Sequence, residues 1–236
     1  CVVNEWDVYK ILKSINSNKA THSEDYPSWI TKCNAELLAE PIADIISSIL
    51  STGSFPAIWK QAQVKPLPKT SDPKSCKEYR PISLLYHLSK IVEIFIRKEL
   101  SIYTPQDVNQ YAYTHGTGTT DALAQFTTTV SKALDNKGTY GVQCLLIDFS
   151  KAFDLMMPDT LAHKLSDMNV PPYIVRLVID FLTNRQQCVK YQNSQSSTKP
   201  TRVGVPQGTI LGPVLWNVYV TDLGKNRQVV KYADDT

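Results

Sequence analysis

The sequence predicts a mixed α+β fold, and three observations lead to this class. Apolar residues recur at helical spacing in several segments, most clearly over 84–100 and 119–134. Residues 142–147 (VQCLLI) form a short, continuous apolar run of the kind found in buried central strands. Predicted helices and strands follow one another without strict alternation, which favours α+β over a doubly wound parallel sheet. With 42% apolar residues, a chain of 236 residues can bury a sizeable core.

The N-terminal third predicts two helices followed by an irregular segment. Apolar spacing indicates a first helix over 8–15 and a second over 35–51, with Pro41 interrupting the second and Gly53 ending it. Residues 56–81 contain five prolines and many lysines, which predicts short extended pieces and loops. The other predicted helices cover 159–169, 172–184 and 212–223, and the other predicted strands cover 187–191, 199–203 and 228–232.

Positive charge is concentrated in one segment of the chain. Residues 60–98 hold nine basic and three acidic residues, a local charge of +6, whereas the whole chain carries only +3. A basic segment within an otherwise slightly acidic protein is typical of contact with a polyphosphate, although a solvated surface loop would look the same.

Several classes of protein are excluded by composition. The longest apolar stretch, 35–50, is interrupted by charged residues and proline, so no transmembrane span and no membrane partner is predicted. The five cysteines form no CxxC pair, which argues against a zinc ribbon or a disulfide scaffold. Because the chain begins at Cys1 and shows no distinct tail after Thr236, we expect it to be a piece of a longer protein.

Three carboxylates follow predicted strands. Asp148 ends the apolar run at 142–147, and Asp234 and Asp235 end the last predicted strand. Acids held close together repel one another unless they bind a divalent cation, and an oxygen-only ligand set suits Mg²⁺. A lone aspartate at a strand end is more often a turn former, so the acids gain meaning only from the motifs around them.

Five motifs occur in a recognisable order, namely VKPLPK (64–69), YRPISLL (79–85), LLIDFSKAFD (145–154), GVPQGTILGP (204–213) and YADD (232–235). Together they resemble the reverse transcriptase of non-long-terminal-repeat (non-LTR) retrotransposons, in particular the jockey-like lineage of LINE elements. The resemblance implies an RNA-directed DNA polymerase, a nucleotidyltransferase with the right-hand polymerase fold. It implies fingers and a palm, with an antiparallel palm sheet and packed helices, and no thumb. Residues 1–60 would be a helical extension that precedes the fingers, and 61–236 would be the fingers and an incomplete palm.

The resemblance also implies a metal site. Asp148 and Asp234 correspond to the catalytic aspartates, with Asp235 beside them and the carbonyl group of Phe149 as a further ligand. Two Mg²⁺ ions would be the cofactor, with Mn²⁺ as an alternative. We expect YADD to lie in the turn of a β-hairpin, with the returning strand following Thr236.

The nucleotide site follows in the same way. The ring of Phe153 would occupy the space of a ribose 2′-hydroxyl and so favour dNTPs over rNTPs. Gln207 and Gly208 would lie under the incoming nucleotide, while Lys69 and Arg80 would grip its triphosphate. The partners implied are an RNA template, a DNA primer and dNTPs.

Departures from the family pattern leave alternatives open. The loop 110–121, which would contact the template, carries only His115 where the family has a stronger basic residue. An RNA-dependent RNA polymerase, a group II intron maturase and a catalytically inactive, decayed or co-opted nucleic-acid-binding remnant remain as alternatives. The isolated chain is expected to be inactive because the primer terminus needs further palm and thumb structure to be held in place. The family also implies action in the nucleus and the cytoplasm, and the oligomeric state is left open.

Overall fold

The computed structural model describes residues 2–114, 116–149, 151–225 and 227–236, and it confirms the α+β class. Its eight α-helices, counted over these residues, alternate irregularly with a small mixed sheet. The helices are α1 (Glu5–Ser14), α2 (Ser28–Cys33), α3 (Ala35–Thr52), α4 (His87–Tyr103), α5 (Thr119–Leu134), α6 (Pro158–Asp167), α7 (Pro172–Leu182) and α8 (Gly212–Tyr219). The strands are β1 (Gln61–Pro68), β2 (Tyr79–Leu84), β3 (Arg185–Tyr191), β4 (Ser194–Gln195) and β5 (Lys199–Thr201).

Helix α3 continues through Pro41, so the predicted interruption there is wrong. Proline removes one intrahelical hydrogen bond, and the long buried face of α3, which includes Ala43 and Ile46, compensates for that loss. Gly53 ends the helix as predicted, because it takes a left-handed conformation with φ of 65° and donates its N–H to the carbonyl of Ile49 at 3.0 Å.

The sheet joins the proline-rich segment to a strand more than one hundred residues later. β1 pairs with β2 in an antiparallel ladder and with β3 in a parallel one, while β4 and β5 each pair antiparallel with β3. Pro66 lies opposite Pro81 in the β1–β2 pair. The prediction of extended pieces and loops over 56–81 is therefore confirmed, and β1 and β2 form a hairpin that projects charged side chains.

The predicted buried strand at 142–147 is wrong. Leu145 and Leu146 are 81% and 84% exposed, and the segment has no regular strand conformation. Within the described residues, its backbone pairs only through Ile147, with Thr236. An apolar run becomes a buried strand only when neighbouring strands pair with it, and a contact of one or two residues is too short for that. The strand predicted at 228–232 is likewise reduced to isolated bridges at Lys231 and Tyr232.

The hydrophobic core lies where helices from distant parts of the chain pack together. Helices α1 and α3 pack against each other, α7 contacts both α3 and α4, and α6 contacts α8. Side chains that are almost fully buried at these contacts include Leu12, Ile46, Ile96, Leu165 and Phe181. No helix in the described part of the chain is long and apolar enough to cross a membrane.

Candidate active site

The YADD motif forms a tight hairpin turn, as predicted. Tyr232 and Asp235 exchange two backbone hydrogen bonds, of 2.8 and 3.0 Å, with Ala233 and Asp234 as the two central residues. Ala233 has a positive φ of 57°, which tight turns of this kind require. The returning segment already begins at Asp235, so the prediction that it begins after Thr236 is wrong.

This turn lies directly beside Asp148. The N–H of Ile147 donates to the carbonyl of Thr236 at 2.7 Å, and the N–H of Thr236 donates back at 3.0 Å. Asp148 and Asp235 consequently form an antiparallel bridge. Like charges directly opposite each other on paired backbones are destabilising, so two aspartates at this position favour a cation between or beside them.

The ligands around the turn fit a hard cation only in part. Carboxylate and carbonyl oxygens are the donors that Mg²⁺ prefers, and Asp148, Asp234 and Asp235 supply only such donors. Within the described ranges, however, no three His, Cys, Asp or Glu side chains are close enough together to hold a metal ion. A site here would therefore depend on substrate phosphates as additional ligands, which is common for Mg²⁺.

Trp216 connects the segment after Asp148 to the YADD turn. Its ring centroid lies 5.6 Å from that of Phe149 and 5.5 Å from that of Phe153. Its indole N–H donates to the carbonyl of Ala233 at 2.7 Å. Sequence reasoning did not single out Trp216, although a buried tryptophan normally needs an acceptor for its N–H, and that need was a usable signal.

The loop 204–208 packs closely against the segment that carries Phe153. The N–H of Val205 donates to the carbonyl of Phe153 at 2.8 Å, and the N–H of Gly204 donates to that of Met156 at 2.9 Å. Gly204 has φ of 90°, and a Cβ atom there would lie 2.5 Å from the carbonyl oxygen of Asp154. Only glycine allows this approach without displacing backbone.

The other end of the same loop contacts the β1–β2 hairpin. The N–H of Ser83 in β2 donates to the carbonyl of Gln207 at 3.0 Å. Gly208 has φ of 111°, and a Cβ atom there would lie 3.2 Å from the carbonyl oxygen of Ser83. Both Gln207 and Gly208 are exposed, so the structure leaves them accessible to a ligand.

A buried glutamate fixes the start of helix α8. Glu93 lies in α4 with no exposed surface, and its Oε2 accepts hydrogen bonds from the N–H groups of Ile210 at 2.6 Å and Leu211 at 3.1 Å. Its Oε1 accepts from the hydroxyl of Ser89 at 3.3 Å. Burial raises the pKa of this carboxyl. Sequence reasoning missed Glu93, although an acid at an otherwise apolar position of a helix was a signal.

The segment before α5 lies beside the YADD turn. Gln110 is 2% exposed and forms a parallel bridge with Lys231. The ammonium group of Lys231, which is 1% exposed, donates to the carboxylate of Asp107 at 2.9 Å and to the carbonyl of Val220 at 2.8 Å. The pKa of the nearby Tyr113 hydroxyl is raised by burial and by the negative charge of Asp234. His115, which the sequence placed in a template-contacting loop, lies outside the described residues.

The two predicted triphosphate contacts lie on the hairpin of β1 and β2. Lys69 follows β1 directly, and Arg80 lies opposite Leu67 in β2. Both are exposed, and the ion pairs found among the described residues include neither. The contact between Ser83 and Gln207 links this hairpin to the loop 204–208. Backbone contacts thus connect the segment of Phe153, the loop 204–208 and β2, whereas Lys69 follows the end of β1 that lies farther from Ser83.

Comparison with known proteins decides the family. A family model described as "Reverse transcriptase (RNA-dependent DNA polymerase)" matches residues 67–236. The chain belongs to the reverse transcriptase family. It is 32% identical over 228 residues to a probable RNA-directed DNA polymerase from transposon BS of Drosophila melanogaster, and 34% identical over 212 residues to the RNA-directed DNA polymerase from mobile element jockey of the same species.

The match to these reverse transcriptases covers most of this chain but only part of theirs. The similarity extends over 92% of this chain for transposon BS and 83% for jockey. The chain spans about a quarter of the length of these relatives, 24% and 23% respectively. Both relatives are retroelement polymerases, which favours a reverse transcriptase over an RNA-dependent RNA polymerase or an intron maturase.

Proposed function

We propose that this chain forms the fingers and part of the palm of an RNA-directed DNA polymerase from a non-LTR retrotransposon. The observation that carries the proposal is the pairing of Asp148 with the YADD turn, which joins acids more than eighty residues apart in sequence. The loop 204–208 lies next to the same region through its bonds to Phe153 and Ser83. In this proposal, residues 1–60 are a helical extension and 61–236 are the fingers and part of the palm.

The reaction is nucleotidyl transfer directed by an RNA template. The 3′-hydroxyl oxygen of a DNA primer forms a bond to the α-phosphorus of a dNTP, the bond from that phosphorus to the α,β-bridging oxygen breaks, pyrophosphate leaves, and the hydroxyl proton passes to solvent water. Asp148, Asp234, Asp235 and the carbonyl of Phe149 would hold two Mg²⁺ ions, or Mn²⁺, which would neutralise charge on the attacking and leaving oxygens. The protein's own contribution is to hold these oxygen ligands and the primer end in one geometry.

Selection of the sugar is assigned to Phe153. Its ring is half-buried and packs against the ring of Trp216, so it forms a wall that cannot easily move aside. A fixed aromatic wall excludes an additional ribose 2′-hydroxyl by sterics.

Lys69 and Arg80 would contact the triphosphate, where arginine can bind phosphate with two parallel hydrogen bonds. Gln207 and Gly208 would lie under the incoming nucleotide. Family resemblance is the basis for placing this activity in the nucleus and the cytoplasm.

Primer extension tests the proposal. The protein encoded by the complete open reading frame that contains this chain is incubated with an RNA template, a labelled DNA primer, dNTPs and Mg²⁺. We expect extension by the parent protein and a loss of at least about a thousandfold in Asp148→Asn and Asp234→Asn, since both remove charge from the proposed metal site. Asp167→Asn, at the exposed end of α6, is the matched control and should extend normally. Normal extension by Asp148→Asn or Asp234→Asn would refute the metal assignment.

One observation favours a second candidate function. The residues before Asp148 are exposed, and among the described residues this segment is joined to the YADD turn only through Ile147 and Asp148. A nucleic-acid-binding remnant without catalysis would show this feature. Retained RNA binding in the parent protein, together with no extension in either Mg²⁺ or Mn²⁺, would identify that alternative.

A further inference from the structure

The side chain of Gln110 bonds to both polar backbone groups of Ala233. The N–H of Ala233 donates to Oε1 of Gln110 at 3.0 Å, and Nε2 of Gln110 donates to the carbonyl of Ala233 at 3.3 Å. Oε1 also accepts the N–H of Ala112 at 3.1 Å. A side-chain amide has the same donor and acceptor arrangement as a backbone amide, so Gln110 substitutes here for a neighbouring strand.

Ala233 is the residue that most needs such support. Its φ of 57° is unfavourable for a residue with a Cβ atom. Strained backbone persists only where surrounding contacts hold it in place. The indole N–H of Trp216 also donates to the carbonyl of Ala233, so three side-chain hydrogen bonds fix this one residue. Asp234 follows it directly, and its direction depends on the conformation of Ala233.

The backbone that carries Gln110 is itself fixed to the strand leading into the turn. The N–H of Lys231 donates to the carbonyl of Asn109 at 2.8 Å, and the N–H of Tyr111 donates to the carbonyl of Lys231 at 3.0 Å. The buried ion pair of Lys231 with Asp107 adds a further link between the same two segments. Gln110 therefore reaches the turn from a rigid position on the adjacent backbone.

We infer that Gln110 is a positioning residue that holds the YADD turn in the conformation that directs Asp234 toward the reacting atoms. This inference rests on the proposed function, and it gives Gln110 a different task from template contact, which the sequence assigned to the loop 110–121. Gln110 does not touch substrate in this role. It acts through the backbone of Ala233.

The test compares three substitutions in the complete protein. Gln110→Met keeps a similar volume but removes all three hydrogen bonds. Gln106→Met makes the same chemical change at an exposed position of the same segment between α4 and α5. Leu12→Ala removes a fully buried side chain of α1 and should lower stability without touching the turn, so it reports what destabilisation alone does.

Two measurements separate positioning from general stability. In primer extension, Gln110→Met should lower kcat about tenfold and raise the half-activating Mg²⁺ concentration several-fold, while the KM for dNTP stays within about twofold. Gln106→Met and Leu12→Ala should leave the half-activating Mg²⁺ concentration unchanged. In hydrogen exchange, the Ala233 amide of Gln110→Met should exchange at least about fivefold faster than in the parent protein, because its acceptor is lost.

The outcomes distinguish this inference from the proposed function. If the parent protein does not extend primers, the proposed function fails, and the exchange rate of the Ala233 amide still tests whether Gln110 holds the turn. Unchanged exchange in Gln110→Met overturns the inference whatever the activity. An active parent protein with unchanged kcat and Mg²⁺ dependence in Gln110→Met also overturns it. The inference is also overturned if Leu12→Ala raises the half-activating Mg²⁺ concentration as much as Gln110→Met does.

Discussion

Removing the carboxylate of Glu93 would leave two backbone N–H groups without acceptors at the beginning of α8. In the structure Oε2 of Glu93 accepts from Ile210 at 2.6 Å and from Leu211 at 3.1 Å, and the glutamate has no exposed surface. Each buried N–H that loses its acceptor costs about 1–3 kcal/mol, so the two together cost about 2–6 kcal/mol. Part of this cost is offset because alanine does not require a buried carboxyl group to be desolvated.

We therefore expect Glu93→Ala to lower the free energy of unfolding by about 2–4 kcal/mol. Glu93→Gln should cost less than about 1.5 kcal/mol, because its amide oxygen can still accept both N–H groups and its NH₂ can donate to the hydroxyl of Ser89. Urea denaturation followed by tryptophan fluorescence measures both values. Glu40→Ala, on the exposed face of α3, is the control and should stay within about 0.5 kcal/mol of the parent protein.

Two results would refute this reasoning. If Glu93→Ala is as stable as Glu40→Ala, the two hydrogen bonds do not hold the loop. If Glu93→Gln is as unstable as Glu93→Ala, the negative charge rather than the acceptor geometry is what matters. The second result would point to the nearby Arg185. Burial lowers the pKa of its guanidinium to about 10, and the negative charge of Glu93 opposes part of that decrease.

Three further predictions concern pH, the sugar gate and the close approach at Gly204. Burial raises the pKa of Glu93 above its ordinary 4.5, against the opposing effects of the Leu211 and Ile210 N–H groups and of Arg185. Its contribution to stability is therefore fully present below about pH 4.5 and is lost as pH rises through the raised value. The parent protein should consequently lose stability relative to Glu93→Gln as pH rises above 4.5, and parallel curves of stability against pH in urea denaturation would contradict this. Phe153→Val should admit rNTPs, raising the ratio of rNTP to dNTP kcat/KM by at least about tenfold, and an unchanged ratio in primer extension would reject the gate. Gly204→Ala should lower the free energy of unfolding by at least about 2 kcal/mol, because its Cβ atom would overlap with Asp154. Gly138→Ala is the control: Gly138 has φ of 95° and nothing within 4 Å of an added Cβ atom, so only the conformational cost of about 1 kcal/mol should appear. Equal losses in thermal denaturation would contradict the overlap.

Local signals predicted those elements whose cause is local. Helix α5 has the predicted bounds, Thr119–Leu134, and its start is marked by the backbone N–H of Gly118 donating to the carboxylate of Asp121 at 2.8 Å. The end of α3 at Gly53 was equally local, whereas the turn at YADD was predicted from the family resemblance. The motif order was also sufficient to predict the family, because five motifs in one sequence order rarely occur by chance.

The wrong prediction at 142–147 shows the limit of such signals. A continuous apolar run indicates that a segment can be buried, but the neighbouring strands that would bury it depend on other parts of the sequence. Leu123 and Phe126 on α5 are likewise apolar and exposed, at 63% and 37%. A helix makes its backbone hydrogen bonds within itself and can keep its form without a partner on that face, whereas a strand has no hydrogen bonds of its own and loses its regular form when its ladder is incomplete.

The side chains that sequence reasoning missed share one property, which is that they act on backbone atoms of a motif rather than on a substrate. Glu93 bonds to a residue 117 positions away, Gln110 to one 123 positions away and Trp216 to one 17 positions away. A motif shows which residues do the chemistry, but Ala233 or Ile210 in the motif carries no sign of which distant side chain fixes its peptide group. Because a displacement of about 1 Å at a reacting centre can cost about a hundredfold in rate, these supports should also affect activity, by less than the aspartates do. Substitutions confined to the acidic residues would therefore measure only the contribution of the metal-binding side chains. The matched variants of Gln110 and Glu93 measure the contribution of the side chains that fix the backbone of the motifs.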